Sequence, residues 1–470
     1  MHAGFRWELE PGFAPLLEPL LASPGERIKV SPVKEVTRHH VGGRTFYLKR
    51  YHHAAVALRP LKYLFKPTQA REEWRLATEL ERRGVPIVRH VGLGERRAWN
   101  GVLDSLLVTE EFPGTTLNLC PEVPPALVLK FVERMHALGV MQEDLHPANL
   151  LARTGPLELR LVDLHGTRVA PAGTFSAEEC RRNLAVLQVS YPMPVPREIR
   201  ELSRGRRLWL LSSRSVRSLR SNRDFGALPA GGLRWQVRLE LCSEAAQAVM
   251  ADPDGFLARR CRLLKNGRSS TVGLAEGMVL KRFNLRKPGN LLKDLFRASR
   301  ARRAFLAAHH LELAGIPTPR GIAVASRRRA GFLLRSYLLM EEIAGAVELG
   351  QRLREGPPGA ALARQAGQLL GRLHREGFSH RDLKEGNLVL DASGRLHLLD
   401  LDGLRFLGEV PPARALADLE RFAEGVAKYP VVTAEDRTRF LLAYHRASGL
   451  KLRPKGSVPT IESPAWEAPA

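Results

Sequence analysis

Cysteine is scarce in this chain: among 470 residues there are four, Cys120, Cys180, Cys242 and Cys261. They are widely separated and form neither a CxxC pair nor a cluster with histidine, which argues against a zinc site or a disulfide framework and suits a reducing, cytoplasmic setting. Long apolar runs are also missing. No window approaches the roughly 18 consecutive apolar residues of a membrane span, and the opening MHAGFRWELE has no basic segment leading into an apolar one. The expectation is a soluble protein, or one peripheral to the inner membrane. Aromatic residues make up only 6% of the chain and no nucleic-acid reader motif is present, so nucleic acid is the least favoured partner. Acidic residues are outnumbered, 49 against 73 basic ones, for a formal net charge of +24. That sign selects partners bearing phosphates, carboxylates or an anionic surface. The remaining composition, 44% hydrophobic and 26% charged, supports two or three globular cores at this length.

The chain repeats itself. MHALGVMQEDLHPANLL, Met135 to Leu151, aligns without gaps on LHREGFSHRDLKEGNLV, Leu373 to Val389. His136 meets His374, Gly139 meets Gly377, Asp144 meets Asp382 and Asn149 meets Asn387 at one constant spacing. LRLVDLHGTR, Leu159 to Arg168, then matches LHLLDLDGLR, Leu396 to Arg405, with one residue gained or lost between the blocks. Upstream, LLVTEEFPG from Leu106 pairs with YLLMEEIAG from Tyr337, FYLKRY around Lys49 with MVLKRF around Lys281, and FRW at Phe5 with LRW at Leu233. A duplication of this kind sets the domain organisation. The reading is two tandem domains, 1–226 and 227–470, joined near Ser221 to Gly232. In each, strand residues around the lysine precede an amphipathic helix, more strand, a second helix, and then loop, strand, loop. Leu362, Ala366, Leu369, Leu370 and Leu373 recur at helical spacing before a stop at Gly377, whereas Leu157, Leu159 and Leu161 alternate with Glu158 and Arg160 as in a strand.

Phosphoryl transfer needs a cation on the nucleotide phosphates, oxygen ligands for magnesium, and a carboxylate to take the proton of the attacking hydroxyl. HRDLKEGN, His380 to Asn387, has the H-R-D-x-x-x-x-N spacing of a kinase catalytic loop. Asp382 is the candidate base, Asn387 and Asp400 are the candidate magnesium ligands, and Lys281 is the phosphate contact. NGRSST supplies Gly267, Ser269 and Ser270 as a short phosphate loop. In the first copy the corresponding candidates are Asp144 as base, Asn149 and Asp163 for the metal, and Lys49. Glu72 or Glu73, with Glu73 preferred, is the helix carboxylate that pairs with Lys49.

With these residues in place the chain resembles the protein-kinase-like superfamily, and within it the bacterial lipopolysaccharide kinase family acting on heptose or Kdo sugars of the inner core. The resemblance covers nearly the whole chain twice. It rests also on DLHPAN at Asp144, on DLHG and DLDG in place of DFG, on the lack of an APE segment, on the AGIPTP turn at Ala314 and on ARRAF at Ala301. It implies an α+β fold of two tandem kinase-like domains, each with a small β-rich N-lobe and a mainly helical C-lobe. ATP and Mg²⁺ are the implied cofactors, with an anionic glycolipid as acceptor and catalysis mainly in the second copy. A protein Ser/Thr kinase and a tandem pseudokinase scaffold are the alternatives.

Departures from the family pattern fall on both copies. The first has Gln142 and Glu143 where the second has His380 and Arg381, and only KVSPVKE, Lys29 to Glu35, in place of a phosphate loop. The second has Arg303 and Ala304 where the first has Glu72 and Glu73. His136 and His374 are expected to cap their helices, and His165 and Asp402 to brace their loops. Glu110, Glu111, Glu341 and Glu342 mark hinges rather than catalytic groups. The segment Arg197 to Arg223, nearly single-signed and containing Leu208, Trp209, Leu210 and Leu211, reads either as a solvated helix face or as a basic amphipathic helix for anionic lipid. Further positive charge is expected beside the second site from Lys281–Asn290 and Arg297–Arg303.

Overall fold

The computed structural model describes residues 4–31, 33–53, 63, 65–99, 101–284, 298–329 and 332–450. The basic stretches 285–290 and Arg297 lie outside them. The chain is of mixed α and β structure and divides into two compact units, residues 1–207 and 208–470.

In the first unit, six antiparallel strands form one sheet in the order Arg6–Leu9, His90–Ala98, Gly101–Glu110, Arg44–His52, Lys34–Val41, Glu26–Ser31. The helix Gln69–Arg82 lies between the fourth and second of these in sequence. Thr68 caps it by accepting from the Arg71 amide at 3.1 Å, and Ala70, Glu73, Ala77 and Leu80 form its buried stripe. Spacings of three and four put those residues on one face, so one carboxylate enters an otherwise apolar row. The helical remainder carries Pro125–Ala137, the hairpin Leu150–Thr154 with Leu157–Leu161, and Ala177–Gln188. Val128, Val132, Leu145, Leu150 and Leu161 are its innermost residues.

The second unit has seven antiparallel strands: Phe225–Ala230, Leu233–Arg238, Gly321–Arg329, Phe332–Glu341, Met278–Phe283, Ser270–Ala275, Arg262–Asn266. Its helix Arg300–Leu313 begins at Ser299, whose hydroxyl accepts from the Arg302 amide. Ala301, Ala304, Ala308 and Leu311 are buried in the same register as the stripe of the first unit. The expected division at 226/227 would cut the strand Phe225–Ala230. Gly231 and Gly232, read as linker, have φ of 58° and 69° and make the two-residue turn that pairs this strand with Leu233–Arg238. That is the conformation a tight hairpin requires.

The Arg197–Val216 helix forms as expected. Leu208 and Leu211 are buried, Leu211 within the core of the second unit, and Ile199 within that of the first. Trp209 remains 57% exposed. Among the described residues no helix is long and apolar enough to cross a membrane.

In the second unit the helix Gly359–Arg375 crosses Ala434–Ser448 at close range. A Cβ on Gly367 would lie 2.2 Å from the Phe440 carbonyl oxygen, and one on Gly371 2.7 Å from that of Tyr444. Gly367→Val should therefore destabilise this unit by about 1–3 kcal/mol through overpacking, read as a lowered urea midpoint with the transition of the first unit unchanged.

Candidate active site

Strand alternation places the lysine of each unit. In Met278–Phe283 the residues Met278, Leu280 and Phe283 are buried, which puts Lys281 on the face opposite Leu280. Lys281 stands between Val272 and Leu338 in the ladder, as Lys49 stands between Val36 and Leu107.

In the first unit the expected ion pair is present: Lys49 Nζ donates to Glu73 Oε1 at 2.6 Å, with side chains 13% and 5% exposed. Burial by itself would raise the Glu73 carboxyl, but the Lys49 charge and the nearby His90 outweigh it and hold the group at about 2. Glu72 does not share this role. A cavity of about 590 Å³ opens here, lined in part by Lys34, Tyr51, Glu72, Glu73, Asp163 and His165. Burial and the neighbouring Lys49 push Lys34 below the ordinary lysine range, and Asp163 and Glu73 act against the shift.

In the second unit Ala304 occupies the helix position of Glu73 and offers no carboxylate. Lys281 Nζ donates instead to Asp400 Oδ1 at 2.5 Å and to Asp402 Oδ1 at 3.2 Å. Asp402 is fixed from its other oxygen by Arg300, at 2.8 Å from Nε and 2.5 Å from Nη2. Burial would raise the Asp402 carboxyl, but hydrogen bonding with Asp400 and the charges of Lys281 and Arg300 hold it well below the usual carboxylate range. Both cations lie 4.9 Å from the centre of the buried Phe283 ring. Asp402 thus does more than brace its loop. Together with Arg300, at the register of Gln69 in the first helix, it supplies the partner that the sequence left unassigned.

The loops that carry Asp382 and Asp144 share a set of hydrogen bonds. In the second unit the Asp382 amide donates to His380 Nδ1 at 3.2 Å, and His380 Nε2 donates to the Asp400 carbonyl at 3.2 Å. In the first, the Asp144 amide donates to Gln142 Oε1 at 3.2 Å and Gln142 Nε2 donates to the Asp163 carbonyl at 2.9 Å. A carboxamide carries one acceptor and one donor group, as a neutral imidazole does, so Gln142 takes the hydrogen-bonding place of His380. Asn387 Nδ2 donates to the Asp382 carbonyl at 2.7 Å and Asn149 Nδ2 to that of Asp144 at 2.9 Å. Asp163 and Asp400 both sit in the left-handed region, at φ 60° and 55°, a strained setting that persists only when its surroundings enforce it. The Asp382 carboxylate is 62% exposed and accepts from Lys384 at 3.1 Å; Asp144 is exposed as well.

Each unit therefore offers one amide oxygen and one carboxylate for a hard cation, Asn149 with Asp163 and Asn387 with Asp400. No cluster of three or more His, Cys, Asp or Glu fit to hold a metal occurs among the described residues. Two such oxygen ligands suit magnesium, which is ordinarily held by one or two protein groups together with substrate phosphates and water.

Other expected residues are placed differently. Gly267 and Ser269 lie in a closed turn in which the Gly267 amide donates to the Ser270 carbonyl at 3.0 Å. Ser270 is buried and paired with Phe283 in the ladder. The His136 and His374 side chains do not cap their helices: His136 Nε2 donates to Asn183 Oδ1 at 2.9 Å, and His374 Nδ1 meets the Tyr444 hydroxyl at 2.7 Å. Glu110, Glu111 and Glu341 are engaged by Arg44, Arg38 and Arg320.

Two tests follow from this geometry. Burial keeps His380 below its ordinary pKa despite the Asp400 carbonyl and nearby carboxylates. Below about pH 6.5 the unfolded chain therefore binds the proton that the folded unit resists. The stability present above that pH is lost as pH falls. His380→Gln should remove this component from the urea midpoint measured against pH while leaving turnover within about threefold of wild type, less than about 1 kcal/mol of barrier. Asp402→Asn should weaken Mg-ATP binding about tenfold, the equivalent of ~1.4 kcal/mol for a lost charged hydrogen bond. Adding Ala304→Glu, which restores a carboxylate at the Glu73 position, should recover part of that loss in a calorimetric titration.

A family model described as "Lipopolysaccharide kinase (Kdo/WaaP) family" matches residues 19–119 and 265–444, together more than half of the chain. A 3-deoxy-D-manno-octulosonic acid kinase of Vibrio vulnificus (strain YJ016) is 34% identical over 119 residues, 24% of this chain and 50% of the relative. One of Stenotrophomonas maltophilia (strain K279a) is 38% identical over 87 residues, 18% of this chain and 34% of the relative. The chain thus spans half or less of the length of these curated relatives. Among solved structures, WaaP in complex with acyl carrier protein is 24% identical with a TM-score of 0.33, covering 42% of this chain and 83% of that one. WbdD is 17% identical with a TM-score of 0.27, covering 41% and 47%. The second matched segment contains Lys281, Asp382, Asn387 and Asp400, and the first contains Lys49 and Glu73. By this match the chain belongs to the lipopolysaccharide kinase (Kdo/WaaP) family.

Proposed function

We propose that the chain is an ATP- and magnesium-dependent phosphotransferase whose acceptor is a hydroxyl of a lipopolysaccharide inner-core sugar, heptose or Kdo. The two units are two copies of a kinase-like fold, and the second carries the main activity. The observation that bears most weight is the convergence of Lys281, Asp400, Asp402 and Arg300 beside a loop whose Asp382 backbone is tied to Asp400 through His380. All of these residues lie within the segment matched by the family model. The curated relatives, named as 3-deoxy-D-manno-octulosonic acid kinases, support the sugar acceptor, and the net charge of +24 suits an anionic glycolipid.

The chemistry assigns each residue a task. The exposed Asp382 carboxylate accepts the proton of the acceptor hydroxyl as its oxygen attacks the γ-phosphorus, and the bond from that phosphorus to the β–γ bridging oxygen breaks to release ADP. Lys281 contributes positive charge to the phosphates, and Asn387 and Asp400 would hold Mg²⁺. When bound, that ion supplies neutralisation of the charge on the transferring group. Asp402 and Arg300 position Lys281, and His380 keeps the base and Asp400 in register.

Transfer of labelled γ-phosphate from Mg-ATP to dephosphorylated inner-core glycolipid tests the reading. Asp382→Asn should lower transfer at least about 100-fold, the lower bound for loss of a general base. Undiminished transfer by that variant, or labelling of protein serine and threonine in preference to glycolipid, would overturn it.

A further inference from the structure

The first unit departs from the kinase pattern at Gln142 and Glu143, and the family match stops at residue 119, short of its base-bearing loop. From the geometry we infer that this unit is nevertheless a second phosphoryl-transfer centre, taking a nucleoside triphosphate as donor and a hydroxyl as acceptor. The inference rests on the reading of the second unit as a kinase, because that unit provides the arrangement with which the first is compared.

Five observations carry it. The ion pair between Lys49 and Glu73 is made at 2.6 Å, so the phosphate lysine is already held by a helix carboxylate. Gln142 repeats both hydrogen bonds of His380, to the base amide and to the left-handed aspartate carbonyl. The surrounding backbone agrees as well. The Glu143 amide donates to the Gly166 carbonyl at 3.1 Å, as that of Arg381 does to Gly403 at 3.1 Å. The Val162 amide donates to the Asn149 carbonyl at 2.9 Å, as that of Leu399 does to Asn387 at 2.8 Å. Asp163 keeps the strained φ of 60° that Asp400 shows at 55°. The cavity beside these groups, about 590 Å³, falls within the size range of small-ligand sites. Lys34 on its wall adds a second cation beside the turn where a glycine-rich loop is missing.

The step is the same in outline as in the second unit. The acceptor oxygen forms a bond to the γ-phosphorus, the bond from that phosphorus to the bridging oxygen breaks, ADP leaves, and Asp144 takes the hydroxyl proton. Gln142 is a positioning residue, acting through the backbone of Asp144 and Asp163.

The full chain can be assayed with water as acceptor, by ADP release from Mg-ATP, in wild type, Asp144→Asn, Asp382→Asn and the double variant. Release should persist in Asp382→Asn and fall at least about 100-fold further when Asp144→Asn is added. In the Asp382→Asn background, Gln142→Leu should lower it and Gln142→His should restore it, a rescue that a role in packing alone would not produce. Calorimetry with Mg-ATP should give two sites per chain, reduced to one by Lys49→Ala. Equal rates in Asp382→Asn and the double variant, or one site per wild-type chain, would overturn the inference. Equal rates in Asp144→Asn and the double variant would instead overturn the reading of the second unit and leave the first standing.

Discussion

A single buried side chain, running from the loop that bears the base to the carbonyl of a left-handed aspartate, holds each site in register. Residue 380 does this in the second unit and residue 142 in the first. The aspartate conformation is intrinsically unfavourable, and what enforces it is a donor presented at the right height beneath its carbonyl. The same side chain receives the amide of the base. Loop and strand end are thereby tied together at one point, which fixes the backbone of Asp382 relative to Asp400, and that of Asp144 relative to Asp163.

Around that point the two units reach the same charge balance by different routes. In the first, Lys34 and Lys49 face Glu73 and Asp163. In the second, Lys281 and Arg300 face Asp400 and Asp402. In each unit these are two cations set against two carboxylates, to which Glu72, Arg75 and Glu79 add further charge around the cavity of the first. The first takes one carboxylate from the helix, where the stripe of Ala70, Ala77 and Leu80 brings Glu73 under the sheet. The second has Ala304 in that register and takes its carboxylate from the loop after the strand. A half-buried lysine needs an opposite charge within a few ångströms, and the fold supplies it without fixing which element delivers it.

Much of this was legible in the sequence. The order of the repeated blocks predicted the order of elements. The alternation around Leu157–Leu161 and the helical spacing of Leu362 to Leu373 correspond to the observed strand and helix, and Glu73 follows from the period of its helix. What escaped reading did so for identifiable reasons. Gly231–Gly232 looks like a linker because a hairpin turn and a flexible joint use the same residue. Gln142 looks like a loss because identity was compared, whereas the loop requires only an acceptor and a donor at fixed positions. Arg300 and Asp402 are far apart in sequence and have no motif linking them; only the fold brings them within 2.5 Å. Ser270 reads as part of a short phosphate loop, and the fold sets it in the ladder opposite Phe283.

The contact between Lys281 and Asp400 gives the second unit a property that the first lacks. The lysine rests as an internal counter-ion on a proposed metal ligand, so the carboxylate is not left exposed to its neighbour Asp402. If Asp400 held a divalent ion, Lys281 would have to give up this contact, and its ammonium group would then be free to contribute its charge to bound phosphates. Apparent affinity for such an ion would then be the difference between two cation–carboxylate interactions rather than the strength of one.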